Sequence, residues 1–290
     1  MRLRIIIVLT GCALALAACG GSAKPPGGPI DVVASTNVYG NIVSQIGASD
    51  VNVTSILTDP NADPHLFEAS TSTGLAVAKA ALVIENGLVY DSFMDTLLAS
   101  TRTKAKVVTI ANALPFDHGN PHLWYDIDHV PTIATAIEHG LEQADPGRAA
   151  AYRQGLQRFL GTLAPLRAEL RRIERFAKSP VAYTEPVPGY LVDDAGLRNL
   201  APEAFTRAIE DGSDPAPAAV AAMDVLIAKH RIRVLLYNSQ AVTSLTKRLR
   251  AAALAAGVGV VPVTETLPPG LTYQQWQLGQ MRALAAALAR

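Results

Sequence analysis

Cysteine is almost missing from this sequence, since its 290 residues include two, Cys12 and Cys19. If Cys19 becomes the first residue of the mature chain, no pair of thiols is left to form an intramolecular disulfide bond. An excess of charge of one sign is missing too, because 25 Lys and Arg balance 25 Asp and Glu. Neither nucleic acid nor an anionic membrane surface is therefore indicated as an electrostatic partner. The fold must be held by its apolar core, and a partner must be recognised in a specific site.

A run long enough to span a membrane is also missing. The apolar N-terminal segment, residues 5 to 16, is shorter than the roughly 20 apolar residues that a spanning helix needs. Two arginines precede it, and a Leu-Ala-Ala-Cys tetrapeptide ending at Cys19 closes it. This order is typical of a bacterial lipoprotein signal. When such a signal is removed, Cys19 becomes the first residue and carries the lipid. The alternative is an ordinary secretory signal peptide in which the cysteine has no role. We expect residues 1 to 18 to be the signal peptide and residues 19 to 30 a flexible tether.

From residue 31 onward, short β-branched runs alternate with helical patterns, which is typical of an α/β fold with mostly parallel strands. The predicted strands cover residues 30–35, 51–57, 82–85, 106–110, 181–184, 200–205, 234–237 and 258–263. The predicted helices cover residues 39–46, 72–79, 91–98, 130–143, 188–196, 217–230, 242–256 and 273–288. The sequence thus predicts two Rossmann-like α/β lobes, residues 31 to 144 and residues 180 to 290.

Residues 145 to 179, between the lobes, have a helical pattern of their own. Asp145 suits the N-cap and Pro146 the first helical position. Apolar residues recur at spacings of three and four from Tyr152 to Phe176, so one stripe of the helix is buried along its length. We expect one long helix that bridges both lobes. Pro165 lies inside it and either kinks the axis or divides two shorter helices.

Two histidines lie in matching segments. His65 belongs to Ala-Asp-Pro-His-Leu-Phe-Glu, after the second predicted strand, and His122 belongs to Asn-Pro-His-Leu-Trp-Tyr-Asp, before a predicted helix. Proline directly precedes each histidine, and open α/β sheets bind ligands in the loops beyond their strand ends. A single histidine is usually a surface or core residue, but the repeated segment favours a pair of ligands. His118, in a nearby loop, could also contact a bound ion.

The two histidine segments, together with ENGLVYDSF at residues 85 to 93 and TEPVPGYLVDDAGL at residues 184 to 197, resemble the metal-binding lipoproteins that supply zinc and manganese ABC importers. The resemblance covers essentially the whole mature chain, and the order of the motifs is more specific than any one of them. It implies two lobes joined by a long helix, with one divalent ion in the cleft between them.

The resemblance also implies the ligands of that ion. The first two motifs place them at His65 and His122, the third places Glu185 four residues before Gly189, and the fourth places a carboxylate at Glu265, where the family usually has Asp. The sequence departs from the family in two further places, with Ile127 where the family often has Pro and Asn238 where it often has Glu.

The ligand set suits zinc or manganese, and iron is less favoured. Imidazole suits Zn²⁺, whereas carboxylate oxygens and the lack of a long His-rich loop favour Mn²⁺, although intrinsic affinity rises towards Zn²⁺. Around the ligands, we expect Asp63, Glu68 and Asp126 to orient the imidazoles, since a ligating histidine usually donates its second N–H to a carboxylate or carbonyl group. Asp126 could instead cap the following helix, and Tyr190 either shields the ion or is an ordinary core residue.

These features predict a solute-binding protein that is anchored to the extracytoplasmic face of the cell membrane by lipid on Cys19. It would act as a monomer and deliver its metal to an ABC importer permease, with no nucleic acid involved. A secreted metalloenzyme is the first alternative, but four protein ligands leave no obvious position for water, and H-E-x-x-H and G-x-S-x-G motifs are missing from the sequence. An adhesin of the same fold is the second.

Overall fold

The computed structural model describes residues 27 to 115 and 119 to 290. The predicted signal peptide, the lipidation site Cys19, most of the tether and His118 lie outside these residues. Within the described ranges, no helix is both long enough and apolar enough to cross a membrane.

The first lobe contains a parallel four-stranded sheet in the order β2-β1-β3-β4. Its strands are β1 (Ile30–Thr36), β2 (Val51–Leu57), β3 (Leu82–Glu85) and β4 (Lys106–Thr109). Its helices are α1 (Asn37–Gly47), α2 (Thr71–Lys79), α3 (Phe93–Thr101) and α4 (Val130–Ala144). Single 3₁₀ turns occupy Ala48–Asp50, Pro64–Leu66, Ile110–Ala113 and Leu123–Tyr125.

The second lobe repeats this plan with a parallel sheet in the order β6-β5-β7-β8. Between the lobes lie the 3₁₀ turn Pro146–Arg148 and the helices α5 (Ala149–Gly161) and α6 (Ala164–Glu174). The strands are β5 (Pro180–Tyr183), β6 (Arg198–Asn199), β7 (Val234–Asn238) and β8 (Gly259–Val263). The helices are α7 (Gly189–Asp194), α8 (Glu203–Glu210), α9 (Pro217–Ala228), α10 (Ser244–Ala255) and α11 (Tyr273–Leu288).

Both faces of the first sheet are covered by helices, which explains why its central strands are apolar runs rather than alternating ones. Val33 and Val83 face a cluster with Met94 of α3, whereas Val32 and Ile84 face a larger cluster on the other side. The two-lobed α/β fold with parallel sheets is confirmed. Because all strands in a sheet run the same way, the loops after them emerge at one edge.

The predicted strand over residues 200 to 205 is wrong. The strand in this region is β6, which has two residues, and helix α8 begins at Glu203. Pro202 precedes the helix in extended backbone, and the buried residues Phe205, Thr206 and Ile209 follow at helical spacing. The run from Leu200 also contains Ala, Pro and Glu, which are depleted in strands, so neither its composition nor its spacing supports a strand.

The connecting segment is helical as expected, but it consists of two helices instead of one. Thr162 and Leu163 form a turn between α5 and α6, and Pro165 lies in the first turn of α6. Proline has no backbone N–H and is best tolerated in the first turn of a helix. Of the two alternatives, a kinked helix or two shorter helices, the structure therefore has the second. Helix α5 packs against α1 and α4 of the first lobe, and α6 packs against α11 of the second.

One continuous apolar cluster joins the two lobes. It includes Ile42 and Trp124 from the first half, Leu166 from the connecting segment, and Val261 and Trp276 from the second half. Hydrogen bonds cross between the halves as well: Asn37 Nδ2 donates to Leu267 O, and Leu267 N donates to Asn37 Oδ1, both at 2.8 Å. The lobes are thus packed against each other through a core that they share with the connecting helices.

Candidate metal centre

His65 is held by the short turn that follows β2. Asp63 Oδ1 accepts a hydrogen bond from His65 N at 2.9 Å, and Pro64 occupies the first position of the 3₁₀ turn. The imidazole Nε2 is buried, lies 3.6 Å from Glu265 Oε2 and has no hydrogen-bond partner within the described ranges. This turn therefore points an unpaired ring nitrogen across to the second lobe.

His122 is fully buried, and Asn120 orients it. Asn120 Oδ1 accepts hydrogen bonds from His122 N at 3.0 Å and from His122 Nδ1 at 2.6 Å, while Asn120 Nδ2 donates to Pro186 O at 2.5 Å. With the proton placed on Nδ1, the lone pair of Nε2 is free. It faces Glu265 Oε2 at 3.3 Å.

Glu265 lies two residues after β8, and its side chain is completely buried. Tyr90 Oη donates to Oε2 at 3.1 Å, and Asn238 Nδ2 donates to Oε1 at 2.8 Å. Burial by itself raises the pKa of this carboxyl group, but when the imidazoles are protonated and no ion is bound, the hydrogen bond and charge of His122, with the charge of His65, outweigh burial and lower the pKa. Glu265 is therefore a buried, ionised carboxylate between two imidazoles.

Three potential ligand atoms converge at this point. One atom each from His65, His122 and Glu265 lies within 4.8 Å of the other two. Neutral imidazole nitrogen and carboxylate oxygen are both electron-pair donors, so a shared cation can satisfy all three at once. The predicted first, second and fourth ligands are brought together by the fold.

Glu185, the predicted third ligand, is not among the three residues whose ligand atoms lie within 4.8 Å of one another, but it shares the Asn238 amide with Glu265. It follows β5, is buried, and accepts a hydrogen bond from the same Asn238 amide that binds Glu265. Its Oε1 atom is buried without a hydrogen-bond partner in the described part of the chain. Burial and the charge of Glu265 raise the pKa of Glu185 to about 9. A cation close to Oε1 would favour the ionised form.

The four residues expected to surround the ligands have different contacts. Asp63 binds the backbone of His65, and Tyr190 Oη donates to Asn120 O at 2.8 Å, one step away from His122. Glu68 is exposed. Asp126 accepts from His129 N at 3.0 Å and from His129 Nδ1 at 2.8 Å, so it orders the turn before α4 rather than an imidazole of the site.

Sequence reasoning missed several polar residues of the site: Tyr90, Asn120, Gln240 and Glu210, together with the role of Asn238. Gln240 Nε2 donates to Ala62 O at 3.0 Å, and its Oε1 accepts from Glu265 N at 2.6 Å. Glu210 Oε1 lies 3.9 Å from His122 Nδ1. The sequence did contain a signal for Asn238 and Gln240, because both are polar residues at or just after the end of an apolar strand. Glu210 belongs to α8, whose first residues were predicted to be a strand.

Comparisons with known proteins identify the family of this chain. The family model "Zinc-uptake complex component A periplasmic" matches residues 32–287. The manganese-binding lipoprotein MntA of Bacillus subtilis is 24% identical over 197 residues, which are 63% of this chain and 61% of the relative. The zinc-binding protein TroA of Treponema pallidum is 25% identical over 180 residues, 57% of this chain and 58% of the relative. The matches thus span about three fifths of the relatives' length.

The solved structure of the periplasmic zinc-binding protein TroA from Treponema pallidum has the same fold. It superposes with a TM-score of 0.78 at 21% identity, and the alignment covers 91% of this chain and 100% of that one. The family match extends from the first strand to the last helix and includes all four predicted ligands. The chain therefore belongs to the family of zinc-uptake complex component A, periplasmic.

Proposed function

We propose that this protein captures a single divalent transition-metal ion, Zn²⁺ or Mn²⁺ with Fe²⁺ less favoured, and passes it to an ABC importer permease. The convergence of His65 Nε2, His122 Nε2 and Glu265 Oε2 supports the proposal most directly. Two neutral imidazoles and one carboxylate leave one positive charge on a divalent ion, and ionised Glu185 would neutralise it. The ion is then cargo, bound in a site that it can enter and leave.

The metal ligands in this proposal are His65, His122, Glu185 and Glu265. His65 and His122 come from the first lobe, and Glu185 and Glu265 from the second, so the ion would link the lobes. The names of the relatives include manganese-binding and zinc-binding proteins, which supports a site for either metal. The donor set of nitrogen and oxygen atoms is suitable for both.

The remaining parts of the proposal concern location and assembly. Lipid on Cys19 would hold the monomer at the extracytoplasmic membrane face, and residues 19 to 30 would tether the lobes 31 to 144 and 180 to 290, joined through residues 145 to 179. Restricting the protein to the membrane surface raises its effective concentration at the permease. A lipoprotein among the relatives supports this anchoring.

Metal titration tests the proposal. The chelator-treated protein should bind one equivalent of Zn²⁺ or Mn²⁺ by calorimetry, and the double variant His65→Ala with His122→Ala should lose stoichiometric binding. His139→Ala is the control, because its imidazole is 64% exposed on α4, and it should bind as the unmodified protein does. Undiminished binding by the double variant would show that the ion binds elsewhere.

A further inference from the structure

Asn238 occupies the point where the two acidic residues of the site meet. The sheet order places β7 between β5 and β8, and Asn238 is the last residue of β7. Glu185 follows β5 by two residues, and Glu265 follows β8 by two residues. Because the three parallel strands end at the same edge, the Asn238 side chain lies between the two carboxyl groups.

The orientation of the Asn238 amide is fixed by its other contacts. Its Oδ1 accepts a hydrogen bond from Gln240 N at 3.0 Å, so Nδ2 must face the carboxyl groups. Nδ2 has two hydrogens, and it donates one to Glu265 Oε1 at 2.8 Å and one to Glu185 Oε2. Because the residue is buried, bulk water could not replace either acceptor if one of these hydrogen bonds broke.

Asn238 thereby binds one oxygen of each carboxyl group and does not bind the other. In Glu265 the other oxygen, Oε2, faces both imidazoles and also accepts a hydrogen bond from Tyr90 Oη at 3.1 Å, which leaves it a further lone pair for a cation. In Glu185 the remaining oxygen, Oε1, is the buried atom without a partner among the described residues. The Asn238 hydrogen bond withdraws electron density from the oxygen that accepts it and fixes the orientation of each carboxyl group, so each carboxylate should bind a cation mainly through its other oxygen.

From this geometry we infer that Asn238 favours binding of the ion through one oxygen each of Glu185 and Glu265 and so makes the site selective for zinc over manganese. The inference rests on the proposed function. Two imidazole nitrogens and two oxygens give four donors, the number that Zn²⁺ takes in tetrahedral sites. Mn²⁺ prefers six donors in octahedral geometry, and the four side chains alone could provide six only if both carboxylates bound through two oxygens. Asn238 is a positioning residue that acts on the ion through the carboxylates.

Cobalt substitution tests the coordination number without any variant. Tetrahedral Co²⁺ absorbs visible light far more strongly than six-coordinate Co²⁺, so the cobalt-loaded protein should show intense bands. A weak six-coordinate spectrum would overturn the inference even if the protein binds metal stoichiometrically. Failure to bind Zn²⁺, Mn²⁺ and Co²⁺ at all would instead overturn the proposed function, so the two failures are distinguishable.

Competition titrations of Zn²⁺ and Mn²⁺ then test the role of the amide. Asn238→Ala should lose about 10- to 100-fold in Zn²⁺ affinity, as is common when a residue that holds a ligand is removed. Its Mn²⁺ affinity should fall less, because freed carboxylates can supply more oxygens, and the ratio of the two affinities should narrow at least about tenfold. The cobalt bands should weaken in parallel.

Gln240→Ala is the matched control. Gln240 is another buried amide of the site, which binds the backbone of Glu265 and of the first histidine loop but neither carboxylate. Its loss should weaken Zn²⁺ and Mn²⁺ binding by similar factors and leave the ratio of affinities unchanged. If both variants narrow the ratio equally, or if Asn238→Ala leaves it unchanged, Asn238 does not set the selectivity.

Discussion

At the scale of single residues, two asparagines organise the candidate metal centre. Asn120 binds His122, Pro186 and Tyr190, and thereby connects a first-lobe ligand to the loop that follows β5. Asn238 connects the two acidic residues of the second lobe. The histidines and glutamates were predictable from motifs, whereas the amides that aim them were not, because an asparagine in a loop has many ordinary roles.

Removal of the Asn120 side chain should weaken metal binding. In Asn120→Ala, His122 Nδ1 loses its acceptor and the ring loses its fixed tautomer, so we expect the affinity for Zn²⁺ to fall about 10- to 100-fold. Asn120→Asp keeps an acceptor for Nδ1 and should lose less affinity than the alanine variant. Competition titration measures both, and an unchanged affinity in Asn120→Ala would contradict this role.

Asp194 should make stability depend on pH. Burial, together with the charges of Asp126 and Asp128, raises its pKa from 3.8 to about 7. Between these two pH values the folded protein holds a proton that the unfolded chain has released, so the free energy of unfolding falls as pH rises through this window. Asp194→Asn should flatten that slope in urea unfolding between pH 4 and 7. Asp214→Asn is the control at an exposed position and should leave the slope as it is. An unaltered slope in Asp194→Asn would show that Asp194 does not cause the pH dependence.

At the scale of elements, the spacing of apolar residues predicted most helices and strands. It did not predict where one helix ends and the next begins, because packing decides that. The strands Val51–Leu57 and Leu82–Glu85 have their predicted bounds. The connecting segment shows where the sequence left two options, because Pro165 permits either a kink or a new helix start. Only the separate packing of α5 on the first lobe and α6 on the second decides between them.

Gly155 allows α5 to approach α1 closely. A Cβ atom at this position would lie 2.0 Å from Ile46 O, a backbone atom that cannot move aside alone. Gly155→Ala should therefore lower the free energy of unfolding by about 1–3 kcal/mol, measured by urea titration. Gly161→Ala is the matched control in the same helix, since a Cβ there meets nothing within 4 Å, and it should raise stability by about 0.5–1 kcal/mol. Equal effects of the two changes would argue against a tight contact.

At the scale of the whole molecule, the lobes are joined by more than the chain connection. The continuous core contains Trp124, whose backbone oxygen accepts from Tyr273 Oη at 2.7 Å across the lobes. Tyr125 Oη likewise donates to Thr264 O at 2.7 Å. A hinge that opened the lobes widely would expose this buried surface and break these bonds.

Metal release should accordingly change the shape of the molecule only slightly. We expect small tilts and rearrangements of the loops around His65 and Glu185, with nearly the same radius of gyration in the metal-free and metal-loaded protein. Small-angle X-ray scattering on both forms measures this directly. A large expansion on removal of the metal would show that the interlobe core separates.

The sequence by itself determined the alternation of strands and helices and the two parallel lobes, because these follow from short-range periodicity, and its ordered motifs predicted the two histidines and two glutamates as ligands. Tertiary structure decided what surrounds those positions. Asn238 lies 27 residues from Glu265 and 53 from Glu185, and Tyr90 lies 175 residues from Glu265, yet all three contacts are direct. No local pattern specifies them, because contacts so distant in sequence are set by strand order and by the packing of one lobe on the other.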